Sequence, residues 1–378
     1  MPTMLPALPQ AFGNLKDVFR SAYDSLSGGA NPLNLPRVKN SLVIMVDGLG
    51  WENLNQFSGH APFIRKCMQK DAKGYSGFPS TTAASIVSLA TGKSPSIHGI
   101  MGYRVFDREK SESVNLLTGL TAETVKHYLR SDPIISNNEQ LVVVSRTEYE
   151  DSGFSMATFP GAKFLGAASI SQRFNLALNE LNSGSGKLIY LYIPELDQAA
   201  HRFGSNSDKW TQLLEQVDAE LKQLHESAAK NRGIILTADH GVIDVPAHGR
   251  VYLDECDAIK DSLLDVGGDP RATFLYFKDG VDQVRARSEL SEWLDGAAQV
   301  FDMTELVAAG LYDQEVLLLE NIAPDLVVLA ETRRVCYHRG FAKPASLNMI
   351  GQHGGLTAAE ITVPILKLGD YSSSLLVP

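Results

Sequence analysis

Short apolar runs rich in β-branched residues most constrain what this chain can fold into. An unbroken apolar run of this kind is typical of a strand buried on both faces, as in parallel sheets. Helical patterns lie between the runs, as in residues 207–230, where apolar side chains recur every three or four positions. Strands that alternate with helices predict an α/β fold around a mostly parallel sheet. The runs are SLVIMV (41–46), LVVVS (141–145), KLIYLYI (187–193), GIILTA (233–238) and DLVVLA (325–330).

The length of the chain limits the number of domains. At 378 residues it is long for one compact core and short for three. We therefore expect a single domain over residues 1–378 that carries an insertion. The insertion, a small α/β lobe, is expected at about residues 248–322, which contain the segments ATFLYF and ELSEWL.

Charge, hydropathy and cysteine content together predict a cytoplasmic enzyme. The formal net charge of -10 predicts no general attraction to duplex nucleic acid or to an anionic membrane. The N-terminus lacks the basic segment and apolar core of a secretory signal, and no apolar run approaches the roughly 18 residues of a membrane span. An odd number of widely spaced cysteines fits a reducing compartment rather than a disulfide framework. They are Cys67, Cys256 and Cys336.

Acidic and imidazole side chains follow directly after several of the apolar runs, and a further histidine lies between glycines near the C-terminus. Ligands of a parallel sheet bind just beyond the carboxyl ends of its strands, so we expect these side chains to meet there. Carboxylates mixed with imidazoles are typical of divalent metal sites, with Zn²⁺ the commonest ion and Mn²⁺ the alternative. The candidate ligands are Asp47, Asp197, His201, Asp239, His240 and His353.

This ligand set predicts two metal ions. Six ligands suit two ions with three protein ligands each, and each ion then keeps an open position for substrate or nucleophile. Asp197 and His201 are four residues apart, which places them on one face of a helix. Two cations about 4 Å apart can clamp the attacking and leaving oxygens of a displacement at phosphorus. The pattern therefore predicts phosphoryl transfer or hydrolysis.

The stretch GFPSTTAASIVSLATG, residues 77–92, places consecutive hydroxyls at the expected N-terminus of a helix. The free N–H groups and the dipole of a helix N-terminus favour an anion such as phosphate. A hydroxyl next to a metal cation also ionises more readily and becomes a competent nucleophile. We therefore expect one of Ser80, Thr81 and Thr82 to be the nucleophile and the others to cap the helix.

The motifs VDGLG, FPSTTAAS…SLATG…HGI, DQAAH, TADHG and HGG resemble those of the alkaline phosphatase superfamily, and in particular its nucleotide pyrophosphatase/phosphodiesterase branch. They occur in the same order and extend over residues 43–366. The resemblance implies a three-layer αβα fold with a small inserted lobe, and a site with two zinc ions. It assigns Asp47, Asp239, His240 and the nucleophile to one ion, and Asp197, His201 and His353 to the other.

The resemblance also implies residue roles around the phosphoryl group. It selects Thr82 as the nucleophile, because that branch carries its threonine three residues after a proline; Ser80 and Thr81 are the alternatives. Where eukaryotic-type members have an asparagine that binds the phosphoryl oxygen, this chain has Tyr103 followed by Arg104. We expect both to bind substrate, the phenol with one hydrogen bond and the guanidinium with two. An arginine there favours monoesters, which carry more charge than diesters.

These features predict hydrolysis of a phosphodiester or pyrophosphate bond in a small phosphate ester or nucleotide, through a covalent phosphothreonine at Thr82. Two further enzymatic functions stay open, a phosphomonoesterase and a cofactor-independent phosphomutase of the same superfamily. The mutases have an HGG…E…VP ending similar to residues 353–364. A catalytically silent phospholigand-binding protein is the hypothesis from another class. The sequence leaves the leaving group and the oligomeric state open.

Overall fold

The computed structural model describes residues 13–69, 72–121, 123–136 and 140–372. Its strands form a large central sheet, a four-stranded second sheet and several two-stranded ribbons. The strands are β1 (Gly13–Asn14), β2 (Asn40–Val46), β3 (Lys73–Tyr75), β4 (Arg104–Asp107), β5 (Glu112–Asn115), β6 (Leu141–Ser145), β7 (Lys163–Gly166), β8 (Lys187–Ile193), β9 (Arg232–Thr237), β10 (Ile243–Asp244), β11 (Arg250–Tyr252), β12 (Leu263–Asp269), β13 (Ala272–Phe277), β14 (Ala298–Phe301), β15 (Leu326–Ala330), β16 (Val335–Tyr337), β17 (Gly351–Gln352) and β18 (Thr362–Gly369).

Helices alternate with the strands along most of the chain, as predicted. The helical pattern at residues 207–230 is confirmed as a helix of 20 residues that begins after Ser207. No helix within the described ranges combines the length and the apolar character needed to cross a membrane. The α-helices are α1 (Lys16–Ser27), α2 (Trp51–Gln56), α3 (Pro62–Cys67), α4 (Thr82–Thr91), α5 (Pro95–His98), α6 (Val125–Tyr128), α7 (Gly153–Thr158), α8 (Ile170–Asn182), α9 (Glu195–Phe203), α10 (Asp208–Ser227), α11 (Gln283–Leu294), α12 (Met303–Ala308) and α13 (Ala358–Ile361).

The central sheet has eight strands in the order β1-β3-β18-β9-β2-β8-β6-β7. Strands β9, β2, β8, β6 and β7 are parallel to one another. Among the described strands of this sheet, only β18 runs against its neighbours, because it pairs antiparallel with both β3 and β9. The mostly parallel sheet is therefore confirmed. It brings the carboxyl ends of β9, β2 and β8 side by side at one edge.

Helices cover both faces of the central sheet, which follows from the alternation of side chains along a strand. In β2, Val43 and Met45 pack in a core that contains residues of α1 and α4. The alternate residues Leu42, Ile44 and Val46 pack in a second core that contains residues of α8 and α10. The three-layer αβα arrangement is therefore confirmed.

The second sheet has four strands in the order β12-β13-β15-β14, all antiparallel. The prediction that residues 325–330 form a strand of the parallel sheet is wrong, because this run forms β15. Its two faces are buried in different cores, with Val328 in the core that includes α11 and Val327 in a core of the main domain. Burial on both faces explains why this run is apolar, but it does not determine which of the two sheets the strand joins. The limits of the lobe at residues 248–322 stay a prediction, and β15 lies beyond them.

A buried ion pair ties the second sheet to α13. Arg271, in the turn between β12 and β13, donates from Nη2 to Glu360 Oε2 at 2.8 Å and from Nε to Oε1 at 3.0 Å. Both side chains are fully buried. Glu360 Oε1 also accepts a hydrogen bond from the backbone N–H of Gly355 at 2.9 Å. The position of the β12–β13 turn is therefore coupled to the HGG loop.

Candidate metal centre

Two neighbouring strands place three acidic or imidazole residues at the same edge of the central sheet. Asp47 follows β2, and Asp239 and His240 follow β9, its parallel neighbour. The backbone N–H of Gly48 donates to Asp239 Oδ1 at 3.1 Å, so the two strand ends are directly connected. Gly48 has a φ of +74°, a conformation that favours glycine. These side chains approach closely, with His240 Nε2 3.4 Å from Asp47 Oδ1.

Helix α9 supplies the next pair of side chains, directly after β8. Asp197 and His201 lie one turn apart on this helix, as the spacing predicted, with His201 Nε2 3.1 Å from Asp197 Oδ2. His201 Nδ1 lies 2.8 Å from the carbonyl oxygen of Gly351. Because a carbonyl only accepts, Nδ1 carries the proton and Nε2 is directed at the carboxylate.

His353 completes the set from the loop between β17 and α13. Its Nδ1 donates to the carbonyl oxygen of Ser80 at 3.0 Å, which again leaves Nε2 for other partners. His353 Nε2 lies 3.9 Å from Asp197 Oδ1, and its ring stacks on that of His240. The HGG loop is therefore held both by the hydroxyl segment before α4 and by the strand-end residues.

The predicted ligands fall into two groups. Within each group, one candidate ligand atom of every member lies within 4.8 Å of the others. This is the division that the resemblance implied. One group is Asp47, Asp239 and His240, and the other is Asp197, His201 and His353.

The carboxylates of both groups fit divalent cations. Each keeps one buried oxygen that has no hydrogen-bond partner among the described residues. Burial of an unpartnered carboxylate oxygen is unfavourable, and a bound cation removes the cost. The oxygens are Asp47 Oδ1, Asp197 Oδ1 and Asp239 Oδ2.

The titration of the carboxylates reflects their crowding. Burial, followed by repulsion from neighbouring carboxylates, raises the pKa of Asp47 well above its ordinary range and that of Asp239 to about 6. Burial also works against ionisation of Asp197, but the charge and hydrogen bond of His201 lower its pKa. A cation bound between carboxylates this close together offsets their electrostatic repulsion.

The pKa values of the imidazoles also shift in different directions. Burial lowers the pKa of His240 to about 4 and that of His353 to about 3, so both rings are neutral at pH 7, which is the form that binds metals. Burial also opposes the charged form of His201, but Asp197 raises its pKa to about 9. A metal at this group therefore has to displace a proton from His201.

Thr82 is the hydroxyl that reaches the ligand groups. It is the first residue of α4, and its Oγ1 lies 3.2 Å from His240 Nε2. Ser80 Oγ instead donates to the carbonyl oxygen of Gly355 at 2.8 Å. Thr81 Oγ1 lies 3.5 Å from Asp269 Oδ1. The three hydroxyls therefore point to three different partners.

The prediction that the remaining hydroxyls cap α4 is wrong. Thr81 occupies the N-cap position, but within the described part of the chain its side chain forms no capping hydrogen bond. The reason is that the hydroxyls of Ser80 and Thr81 are used in contacts with the HGG loop and with β12. The N–H groups of the first turn of α4 are thus left without a side-chain cap, as suits an anion-binding helix N-terminus.

Arg104, which was predicted to bind substrate, forms several contacts within the protein, and its substrate role stays a prediction. Its guanidinium donates to Asp265 Oδ1 and to Ser113 Oγ, both at 2.7 Å, and to the carbonyl oxygen of Phe341 at 2.9 Å. These contacts hold the guanidinium between β5 and the second sheet. Tyr103 is 37% exposed, and its role stays a prediction.

Two residues near the site were missed from the sequence. Tyr192, the penultimate residue of β8, donates its phenolic hydrogen bond to Asp47 Oδ2. Asp269, the last residue of β12, is buried beside Thr81, and burial raises its pKa to about 7. Tyr192 could have been found from the sequence, because it lies near the end of a predicted strand, as Asp47 does. No sequence pattern indicated Asp269, because the segment DVGGDP around it resembles an ordinary turn.

Comparison with known proteins gives one family. The family model described as type I phosphodiesterase / nucleotide pyrophosphatase matches residues 41–355. An uncharacterized pyrophosphatase/phosphodiesterase of Schizosaccharomyces pombe is 23% identical over 231 residues, 56% of this chain and 47% of that protein. Human ectonucleotide pyrophosphatase/phosphodiesterase family member 7 is 36% identical over 63 residues, 15% of this chain and 14% of that protein. The matches thus span less than half the length of these curated relatives.

Solved structures share the fold. Murine ectonucleotide pyrophosphatase/phosphodiesterase 5 superposes with a TM-score of 0.66 at 20% identity, covering 87% of this chain and 88% of that chain. Phosphonoacetate hydrolase from Sinorhizobium meliloti, in complex with phosphonoformate, gives a TM-score of 0.65 at 19% identity, covering 90% of this chain and 95% of that chain. These likenesses confirm the predicted architecture. Since the family model covers most of the sequence, the chain belongs to the type I phosphodiesterase / nucleotide pyrophosphatase family.

Proposed function

We propose that this chain is a metal-dependent hydrolase that cleaves a phosphodiester or pyrophosphate bond through a covalent phosphothreonine at Thr82. One observation carries the proposal. The Thr82 hydroxyl, at the N-terminus of α4, lies 3.2 Å from His240 Nε2, within one of two adjoining groups of metal-ligating side chains. The other hydroxyls of this segment have their own partners.

Two divalent cations are proposed, with zinc as the first candidate and manganese as the alternative. Asp47, Asp239, His240 and Thr82 would hold one, and the group of three around His201 would hold the other. The ions supply charge neutralisation for the phosphoryl oxygens and lower the pKa of a neighbouring hydroxyl or water. The unpartnered carboxylate oxygens of both groups support this assignment.

The reaction uses Thr82 twice. In the first step Thr82 Oγ1 loses its proton to solvent and forms a bond to phosphorus, while the bond from phosphorus to the leaving group breaks and the leaving group departs with the electron pair. In the second step a water oxygen attacks phosphorus and loses one proton to solvent, the bond to Thr82 Oγ1 breaks, and Oγ1 takes up a proton again. The uncapped N–H groups at the start of α4 stabilise charge on the phosphoryl oxygens. Tyr103 is proposed as an additional donor.

A small phosphate ester or nucleotide is the proposed substrate. An inactive variant of murine ectonucleotide pyrophosphatase / phosphodiesterase 5 was solved in complex with AMP, with a TM-score of 0.66 to this chain at 19% identity. The negative net charge of the chain supports a small-molecule substrate rather than duplex nucleic acid. The cytoplasmic location also stays a proposal, supported by the fact that all three cysteines are free.

A substrate panel with metal analysis tests the proposal. The panel contains p-nitrophenyl phosphate, bis-p-nitrophenyl phosphate, a p-nitrophenyl nucleotide monophosphate and a dinucleotide polyphosphate, assayed on one preparation of known metal content. We expect the highest rates on the nucleotide diester. Highest rates on the simple monoester would favour the phosphomonoesterase instead.

The Thr82→Ala variant tests the covalent mechanism directly. We expect it to lose turnover by at least about 100-fold and to retain most of its metal, because three protein ligands remain in its group. Intact-mass measurement after acid quenching should detect a phosphoryl adduct on the wild type and none on the variant. Equal rates in both proteins would contradict the role of Thr82, and the absence of turnover in the metal-loaded wild type would favour the phospholigand-binding protein.

A further inference from the structure

The carboxylate of Asp269 is buried beside the candidate metal centre but belongs to neither ligand group. The residue is 8% exposed. Its Oδ2 has no side-chain hydrogen-bond partner in the described part of the chain, its Oδ1 has a 3.5 Å contact with the Thr81 hydroxyl, and the backbone of Tyr103 donates to the carboxylate. A buried carboxylate with so few partners is unfavourable for folding, so its retention calls for a functional explanation.

Asp269 lies between the two segments that frame the proposed reaction. Thr81 immediately precedes the nucleophile Thr82, and Gly354 immediately follows the ligand His353. A Cβ placed on Gly354 would lie 2.7 Å from the Cβ of Asp269, so the HGG loop packs directly against this side chain. The carboxylate therefore lies against the residue before Thr82 and the residue after His353.

The charge of Asp269 interacts with that of His201, which is lost when a metal displaces the proton of His201. Among the residues that the structure describes, Asp269 forms no ion pair with lysine or arginine. The two arginines of the surrounding segments have other partners, since Arg104 pairs with Asp265 and Arg271 pairs with Glu360. Its carboxylate thus contributes a full negative charge when ionised.

We propose that Asp269 makes this site select singly charged phosphodiesters over doubly charged phosphomonoesters. A nearby carboxylate repels the second negative charge of a monoester, and burial strengthens the repulsion because the effective dielectric constant is low. A diester lacks that second charge. The inference rests on the proposed function, because it concerns the phosphoryl group that reacts with Thr82.

Two variants that remove the charge test the inference in the full-length, metal-loaded protein. Asp269→Asn keeps the shape of the side chain, and Asp269→Ala keeps the Cβ that packs against Gly354. We expect each to raise the ratio of kcat/KM for p-nitrophenyl phosphate over bis-p-nitrophenyl phosphate by about tenfold at pH 9. Calorimetry should show inorganic phosphate, a dianion at this pH, binding about tenfold more tightly to both variants.

The matched control is Asp295→Asn. Asp295 is an exposed residue at the end of α11 with a φ of +43°, which asparagine tolerates, so this variant makes the same change in net charge away from the site. We expect its ratio of kcat/KM and its phosphate affinity to equal those of the wild type. Thermal unfolding and elemental analysis of each protein establish that fold and metal content are intact.

Several outcomes would overturn the inference. An unchanged ratio and phosphate affinity in folded, metal-loaded variants would show that Asp269 does not act on substrate charge. Loss of a metal ion in both variants would make it a ligand instead. A wild type inactive on every phosphate ester would contradict the proposed function, and the phosphate affinities would then still decide whether Asp269 repels a dianion.

Discussion

The imidazole rings of His240 and His353 stack with their centroids 3.7 Å apart and their planes 13° apart, although the residues belong to different ligand groups. Two charged rings would repel at this distance, and burial lowers the pKa of both, to about 4 and about 3. The neutral stack therefore joins the groups into one centre. We expect the loss of either ring to affect both groups.

Replacement of His353 with alanine is expected to reduce the metal content by about one ion per chain, because its group then keeps two protein ligands. Hydrolysis of bis-p-nitrophenyl phosphate should fall by at least about 100-fold. Elemental analysis and steady-state kinetics measure both effects. His60→Ala is the control, since His60 is a surface histidine paired with Glu215. A His353→Ala protein with unchanged metal content would show that this residue is not a ligand.

The metal-free protein is expected to lose stability as the pH rises from 6.5 to about 9. Although burial opposes it, the charge of Asp197 raises the pKa of His201 from 6.5 to about 9. The folded state therefore binds this proton more tightly than the unfolded state. The stabilisation is complete below pH 6.5 and is lost as the pH rises through 9, an effect of up to about 3 kcal/mol.

Urea unfolding in the presence of a chelator, at several pH values in this window, measures this dependence. Asp269, whose pKa burial raises to about 7, adds a loss of the same sign that is complete near the start of the window, and Asp47, whose pKa burial raises well above its ordinary range, adds another. His201→Asn should reduce the pH dependence above pH 7.5. A free energy of unfolding that stays constant or rises up to pH 9 in the wild type would contradict the prediction.

Tyr192→Phe is expected to weaken metal binding by about 10-fold to 100-fold without unfolding the protein. The phenol donates to Asp47 Oδ2 and so orients the carboxylate that presents Oδ1 to His240. Competition with a chromophoric chelator measures the affinity. Tyr149→Phe is the control, because Tyr149 packs near Tyr192 with ring centroids 6.2 Å apart, and its hydroxyl contacts Gln198 rather than a candidate ligand. Equal losses in the two variants would exclude a specific role for Tyr192.

Glu360→Gln is expected to lower the free energy of unfolding by about 3–5 kcal/mol, because it leaves Arg271 buried without its counter-charge. The pair is fully buried and is held by two hydrogen bonds, of 2.8 and 3.0 Å. Urea denaturation measures the change. Glu289→Gln, which removes the exposed pair with Arg285, should change stability by less than about 0.5 kcal/mol. Similar effects of the two substitutions would show that burial of the first pair is not decisive.

Much of the centre could be predicted from the sequence because its ligands depend on local rules. Asp47 and Asp239 directly follow apolar strands, and the carboxyl ends of neighbouring parallel strands meet at one edge. The spacing of Asp197 and His201 specifies one face of a helix before any tertiary contact is known. The position of His353 between glycines gave less information, and its assignment depended on the resemblance to a known family.

The remaining features depend on contacts between segments that are distant in sequence. Thr81 does not cap its own helix because β12 brings Asp269 to its hydroxyl at a sequence separation of 188. Arg104 of β4 pairs with Asp265 of β12, a contact that the sequence did not indicate. The apolar run of β15 indicates that the strand is buried, but it does not indicate which of the two sheets the strand joins. Side-chain patterns predict exposure and periodicity, and they do not specify which distant loops meet.

The ion pair between Arg271 and Glu360 limits how the inserted lobe can be exchanged between related proteins. All six candidate ligands lie outside the four-stranded sheet, so a graft of another lobe would transfer none of them. Such a chimera would nevertheless replace one partner of a buried salt bridge whose other partner anchors Gly355, two residues from His353. A transplanted lobe therefore has to bring an arginine at the turn of its first hairpin, or the histidine loop of the host loses its support.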